Sequence, residues 1–169
     1  ICKRLLDQNN DICVSISDTT RPPRNNEING HDYNFISEDE FKRKIINNEY
    51  LEFAKVFGNY YGSLRENVNC MLDAGNDVLF DIDWQGTSQL KSIRNIALTT
   101  FFILPPNLKV LNERLLNRHK GQEKLIKERM KKFNEEVSHW NEYNYIVIND
   151  DFKLCYEKIL NIINSEKIG

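Results

Sequence analysis

Three short apolar runs, residues 78–83 (VLFDID), 98–104 (LTTFFIL) and 145–149 (YIVIN), stand among longer segments whose apolar residues recur at helical spacing. Runs of this length are too brief for helices and too continuous for strands with one wet face. Each therefore reads as a strand buried in a parallel sheet, and parallel strands need crossover connections. Residues 107–118 and 124–143 supply amphipathic helical patterns between the second and third runs, and 152–163 supplies another after the last. An alternating strand pattern at 11–17 (DICVSIS) precedes them all. Strands alternating with helices predict an α/β fold, a parallel sheet flanked by helices, and 169 residues suffice for one compact domain with its own core.

One region breaks the alternation. After residue 17 comes a polar stretch, TTRPPRNNEINGHDY, in which Pro22, Pro23 and Asn29-Gly30 forbid regular structure and fix turns. Residues 37–48 follow as a short helix, opened by a capping box of Ser37 and Glu40. Residues 51–63 read as two strands joined at Gly58-Asn59, and Ser63 with Glu66 forms a second capping box for a helix ending at Gly75. This is an irregular antiparallel insertion in a parallel fold. At the N-terminus, Ile1, Cys2, Leu5 and Leu6 share one helical face, so a helix is already under way at the first residue.

With 23 basic and 25 acidic residues the formal net charge is -2, which argues against a dedicated nucleic-acid surface. Any anion must be held by a local cluster. Cys2, Cys13, Cys70 and Cys155 lie far apart, without the spacing of a metal site or a disulfide framework. No apolar run approaches membrane-spanning length and no secretory signal opens the chain, so a cytoplasmic protein with reduced cysteines is expected. His31, His119 and His139 are expected at the surface, and Trp84 and Trp140 in packing.

Arg21 and Arg24 lie three apart on a loop stiffened by Pro22-Pro23, so two guanidinium forks are held close before any ligand arrives, an arrangement suited to a phosphate dianion. Each charge-assisted hydrogen bond contributes about 1.5 to 3 kcal/mol. Asp81 and Asp83 end one of the apolar runs, where open α/β sheets place ligands. Arg114, Arg118 and Arg129 lie around the junction His119-Lys120-Gly121; ordinary pairing with Glu113, Glu123 and Glu128 is the competing reading.

The segments 17–24 (SDTTRPPR), 27–33 (EINGHDY), Glu52, 58–63 (GNYYGS), 81–86 (DIDWQG) and 149–151 (NDD) together resemble the successive signatures of guanylate kinases across nearly the whole chain. The resemblance implies a P-loop kinase-like parallel sheet with an inserted mixed-β GMP-binding subdomain and a helical lid. As one domain, 1–169, it divides into a core (1–16, 68–106 and 130–169), a GMP-binding insertion (17–67) and a lid (107–129). The implied reaction is Mg²⁺-dependent phosphoryl transfer from ATP to GMP, in purine nucleotide metabolism.

By the same resemblance, Arg21, Arg24, Tyr33 and Tyr61 contact the GMP phosphate. Guanine offers two adjacent donors, N1–H and the exocyclic amine, whereas adenine has an acceptor at N1; a carboxylate therefore selects guanine. The resemblance gives Glu52 that role, Asp83 a share of the amine, and Ser17 and Ser63 contacts toward O6. Arg118 and Arg129, with Arg114 as a third, are the arginines that close over the transferred group. Asn149 is placed near the ATP adenine, though a strand-end amide explains it almost as well, and Asp81 on the water shell of Mg²⁺. Two rivals stand beside this reading: a non-catalytic guanylate-kinase-like domain that binds phosphopeptides, and a kinase for another nucleoside monophosphate.

The expected glycine-rich loop ending in Lys-Ser/Thr does not occur in these residues. The helix at Ile1 has no capping side chain before it, and such a loop satisfies first-turn amides by turning them on an anion. The expectation is an apolar strand and a Gly-x-x-Gly-x-Gly-Lys-Ser/Thr-like loop within ~20 residues upstream. Reading the gene checks it, and an upstream segment lacking that lysine favours the phosphopeptide-binding rival.

Overall fold

The computed structural model describes residues 1–94, 96–119 and 121–167. It is an α/β structure in two compact units, one spanning Cys2–Ile96 and the other beginning at Ala97.

The first unit opens with α1 (Cys2–Gln8), which leads into β1 (Ile12–Val14). β1 pairs in parallel with β6 (Asp77–Leu79), Cys13 opposite Val78. A four-stranded mixed sheet lies between them in sequence, formed by β2 (Asp18–Thr19), β3 (Asn34–Phe35), β4 (Tyr50–Val56) and β5 (Asn59–Leu64) in the order β3-β2-β5-β4. β2 and β3 are parallel and the other pairings antiparallel. Helices α2 (Glu38–Ile46), α3 (Arg65–Asp73) and α4 (Trp84–Lys91) complete the unit.

Phe41 of α2, fully buried, stacks against Tyr50 and Tyr60 with ring centroids 4.4 and 5.2 Å away. Gly62 makes room for this cluster. A Cβ there would stand 2.9 Å from Tyr50, 3.0 Å from Phe41 and 3.1 Å from Phe53.

The second unit holds a parallel pair, β7 (Phe101–Leu104) and β8 (Tyr145–Ile148), in register from Phe101–Tyr145 to Leu104–Ile148. Between them run α5 (Leu108–Arg118), α6 (Glu123–Ser138) and a 3₁₀ turn (Trp140–Glu142); α7 (Phe152–Glu166) follows. Asn107 and Asp151 cap α5 and α7, accepting from the backbone N–H groups of Val110 and Leu154.

The expected element types occur, with several corrections. The apolar run at 78–83 is strand only to Leu79, and that at 98–104 only from Phe101. Neither is fully buried, and the run at 145–149 is not either, with Ile103, Ile146 and Ile148 all exposed. The hairpin turns at Phe57-Gly58 rather than Gly58-Asn59, with φ of 49° and 81°, the two positive values that a type I′ turn requires. Ser37 caps α2 as expected, accepting from the Glu40 N–H. The Ser63–Glu66 box does not form: Leu64 occupies the N-cap of α3 with no side-chain bond, and Ser63 spends its hydroxyl elsewhere. His119 is buried rather than surface-exposed, and Trp140 is 49% exposed rather than packed. Lys120, named in the helix junction, lies outside the described residues.

The mixed sheet is held by a buried ion. Asp18, with no solvent exposure, accepts hydrogen bonds from Asn34 Nδ2 on β3 at 2.9 Å, Lys44 Nζ on α2 at 2.7 Å and Tyr50 Oη on β4 at 2.9 Å. Removing one partner of a buried pair leaves the other charged and desolvated, so Asp18→Ala is expected to destabilise the protein by about 3 to 5 kcal/mol. Urea unfolding of both proteins measures the difference.

Candidate functional site

Glu52 is the centre of the first group of site residues. β4 shifts register between Tyr50 and Glu52, so Tyr50, Leu51 and Glu52 are all buried where a regular strand would alternate. Glu52 faces Ser63 across the strand pair and is 3% exposed. Ser63 Oγ donates to its Oε1 at 2.6 Å, and Ser17 Oγ lies 3.4 Å from Ser63 Oγ. Burial pushes the Glu52 carboxyl above its ordinary value; the Ser63 hydrogen bonds oppose that shift and the charge of Asp83 adds to it. Among the described residues no cation pairs with Glu52. A carboxyl buried this far with a single donor residue is set to receive further N–H groups.

Asp83 borders the group as the N-cap of α4. It accepts from the Gln85 and Gly86 N–H groups at 3.0 and 3.3 Å and from Gln85 Nε2 at 2.9 Å. Asp81, two residues before it, is exposed.

The second group is cationic and aromatic. Arg21 Nη1 and Nη2 reach the two carboxylate oxygens of Glu27 at 2.9 and 3.0 Å, a bidentate pair with both side chains largely covered. The Arg24 N–H donates to Glu27 at 2.7 Å, and its guanidinium stands 3.5 Å from the same carboxylate while remaining about half exposed. Arg21 lies 5.4 Å from the ring centre of Tyr33, which meets Tyr61 edge-on at 6.0 Å. Burial raises the Tyr33 hydroxyl's pKa, aided by the charges of Asp81 and Tyr61, so it stays a protonated donor. Thr19 fixes the base of the loop: its hydroxyl donates to the Tyr60 carbonyl at 2.9 Å and accepts from the Arg21 N–H at 3.2 Å. Arg21, Arg24, Tyr33 and Tyr61 are thus brought together, organised by Glu27.

The remaining named residues belong to the second unit. Arg114 Nη1 donates to the Asn149 carbonyl at 2.9 Å and Nη2 to that of Asp150 at 3.4 Å, so this guanidinium braces the loop after β8. The backbone N–H of Asn149 donates to the Leu104 carbonyl at 2.7 Å, extending the β7–β8 ladder. Arg118 ends α5 exposed, and Arg129 is half-buried on α6.

Sequence reasoning missed Glu27 and Asp18, both inside the quoted motifs, and Gln89 altogether. Glu27 had one available signal, a lone carboxylate three residues beyond Arg24 on a charged loop.

The profile of the family described as Guanylate kinase matches residues 1–166. The chain is 46% identical over 168 residues to "Guanylate kinase" of Maricaulis maris (strain MCS10), a match covering 99% of this chain and 77% of that one. It is 47% identical over 167 residues to "Guanylate kinase" of Rickettsia prowazekii (strain Madrid E), covering 99% and 84%. The crystal structure of guanylate kinase from Anaplasma phagocytophilum has the same fold, with a TM-score of 0.85 at 33% identity over 99% of this chain and 81% of that one.

The Arg21 hydrogen bond holds the Glu27 carboxyl below the usual carboxylate range. The stabilisation from this pair is therefore full above the unfolded value of about 4.3 and is lost as pH falls through the lower folded value. Glu27→Gln is expected to cost about 1 kcal/mol near neutrality. The gap between the two proteins should close below pH ~4, as urea titrations at a series of pH values would show.

Proposed function

The chain belongs to the guanylate kinase family, and from that premise we propose how its residues share the family's reaction. It is a nucleoside monophosphate kinase that binds GMP and ATP and forms GDP and ADP. The observation that carries the residue assignment is Glu52: a buried carboxyl, met by Ser63 and by no cation, fits the N1–H and amine edge of guanine. Ser17 and Ser63 stand beside it for the O6 edge, Ser63 by turning to O6 the proton it gives Glu52 once the base's own N–H groups meet that carboxylate, and Asp83 stands beside it for the amine. The phosphopeptide-binding alternative is not favoured, because a peptide phosphate leaves this carboxyl without its donors.

Arg21, Arg24, Tyr33 and Tyr61 receive the GMP phosphate in this reading. Glu27 holds the two guanidinium groups near one another until the dianion takes its place as their partner. Arg118 and Arg129, with Arg114 in support, neutralise charge on the group in flight, and Asn149 borders the adenine of ATP. The lid is residues 107–129, the GMP-binding insertion 17–67 and the core 1–16, 68–106 and 130–169.

Mg²⁺ supplies charge neutralisation on the ATP phosphates. Among the described residues no cluster of three or more His, Cys, Asp or Glu side chains is arranged to hold a metal. A hard cation that keeps most of its waters needs only one or two carboxylates, and exposed Asp81 fits as a partner for such a water. No described helix is long and apolar enough to cross a membrane. Cytoplasmic placement, with neither nucleic acid nor membrane as a partner, completes the proposal.

Glu52→Gln is expected to lose about 10² or more in kcat/KM for GMP, because the amide turns a donor toward a guanine donor. Calorimetry showing unchanged GMP binding would remove the base assignment. Arg118→Ala and Arg129→Ala are expected to lower kcat far more than GMP affinity, since each acts in the transition state. A raised KM for GMP at preserved kcat would instead make them ground-state contacts.

A further inference from the structure

We infer that Gln89 and Gly86 of α4 are positioning residues that set the guanine specificity of Glu52, an inference that rests on the reading of Glu52 as the base acceptor. β4 is the edge strand of its sheet, with β5 on one side only. At Phe53, one residue past Glu52, the edge is closed by a side chain. Gln89 Oε1 accepts from the Phe53 N–H at 3.1 Å, and Gln89 Nε2 donates to the Phe53 carbonyl at 2.7 Å. One amide thus supplies the donor–acceptor pair that a neighbouring strand would offer. Its Nε2 also lies 3.2 Å from the Gln85 carbonyl, one turn back on α4, which ties the amide to its own helix. The backbone next to Glu52 is clamped from both sides, by β5 and by Gln89.

Gly86 bounds the carboxyl itself. A Cβ built there would stand 2.5 Å from Glu52 Oε2, closer than Cβ atoms come, and 3.3 Å from its Cδ, so the carboxyl would have to shift. The bare helix backbone therefore comes up against the carboxylate, and Ser63 holds its other oxygen. The sequence separation Asp83, Gly86, Gln89 puts the helix cap, the bare contact and the clamp on one face of α4. A carboxylate reading two adjacent donors depends on its angle, and misplacement near 1 Å costs about 10²-fold.

A general structural role would lower the folded fraction and weaken all ligands alike. A positioning role instead erodes discrimination between GMP and IMP, which keeps N1–H and O6 but lacks the amine. For Gln89→Ala we expect GMP affinity to fall about tenfold to a hundredfold, IMP affinity to fall less, and kcat at saturating GMP to change little. Gly86→Ala keeps the Gln89 amide and crowds Glu52 directly, and it is expected to narrow the same GMP-to-IMP ratio. It carries the test should Gln89→Ala fail to fold. An unchanged ratio in the folded variants, by calorimetry with both nucleotides, overturns the inference. Glu52→Gln measured in parallel separates the two levels: if it alone abolishes the preference, only the positioning role falls, whereas unchanged GMP binding in it removes the base reading and this inference together.

Discussion

The mixed sheet of the first unit depends on one buried negative charge. Asp18 has no access to water, and a carboxylate in that position is tolerated only if its oxygens are met by donors and its charge by a cation. Asn34, Tyr50 and Lys44 meet those needs from three different elements, so the cost of desolvating Asp18 is recovered only when β2, β3, α2 and β4 have all assembled. The residue before Asp18 is Ser17, beside the Glu52 group, and the residue after it is Thr19, which anchors the loop of Arg21. Both halves of the site thus descend from one two-residue strand whose place is fixed by electrostatics more than by apolar area.

Two other carboxylates show what the surroundings do to the same functional group. Glu27 is covered by guanidinium groups and is held acidic. Glu52 is covered by backbone, hydroxyl and apolar atoms, with Asp83 near, and is driven the other way. The first is satisfied and organises its partners. The second is left short of donors, a shortage that a ligand with two adjacent N–H groups would relieve.

Much of this was legible in the sequence. Apolar runs and helical periodicity located most of the strands and helices, because burial of one face is written in residue spacing, but α4 and the two-residue strands β2 and β3 were not among them. The pairing of Arg21 with Arg24 followed from a proline-stiffened loop, and the family resemblance added Tyr33 and Tyr61. What escaped were bonds between residues far apart in the chain: Lys44 to Asp18, and Gln89 to the backbone of Phe53. Ser63 was misread for a related reason. Its local signature, a serine three before a glutamate, matches a helix cap, but β5 runs on through Ser63 to Leu64, which takes the N-cap of α3, and the Ser63 hydroxyl is left in the strand pair, where it donates to Glu52. Strand lengths were overcalled where apolar residues continued past the last ladder bond, as at Phe80.

Asp83, Gly86 and Gln89 act from a single face of an eight-residue helix, and this constrains how the gene can change length. Inserting or deleting one residue between them would rotate Gln89 by about 100° around the helix axis, away from the strand it holds. No neighbouring adjustment restores that geometry, since the helix ladder itself sets the phase. The hairpin tip at Phe57-Gly58, by contrast, ends in an open turn where a Cβ at the glycine would meet nothing. Lineages of this protein should therefore differ in length at such turns while 83–89 stays fixed in count, even where its individual residues drift.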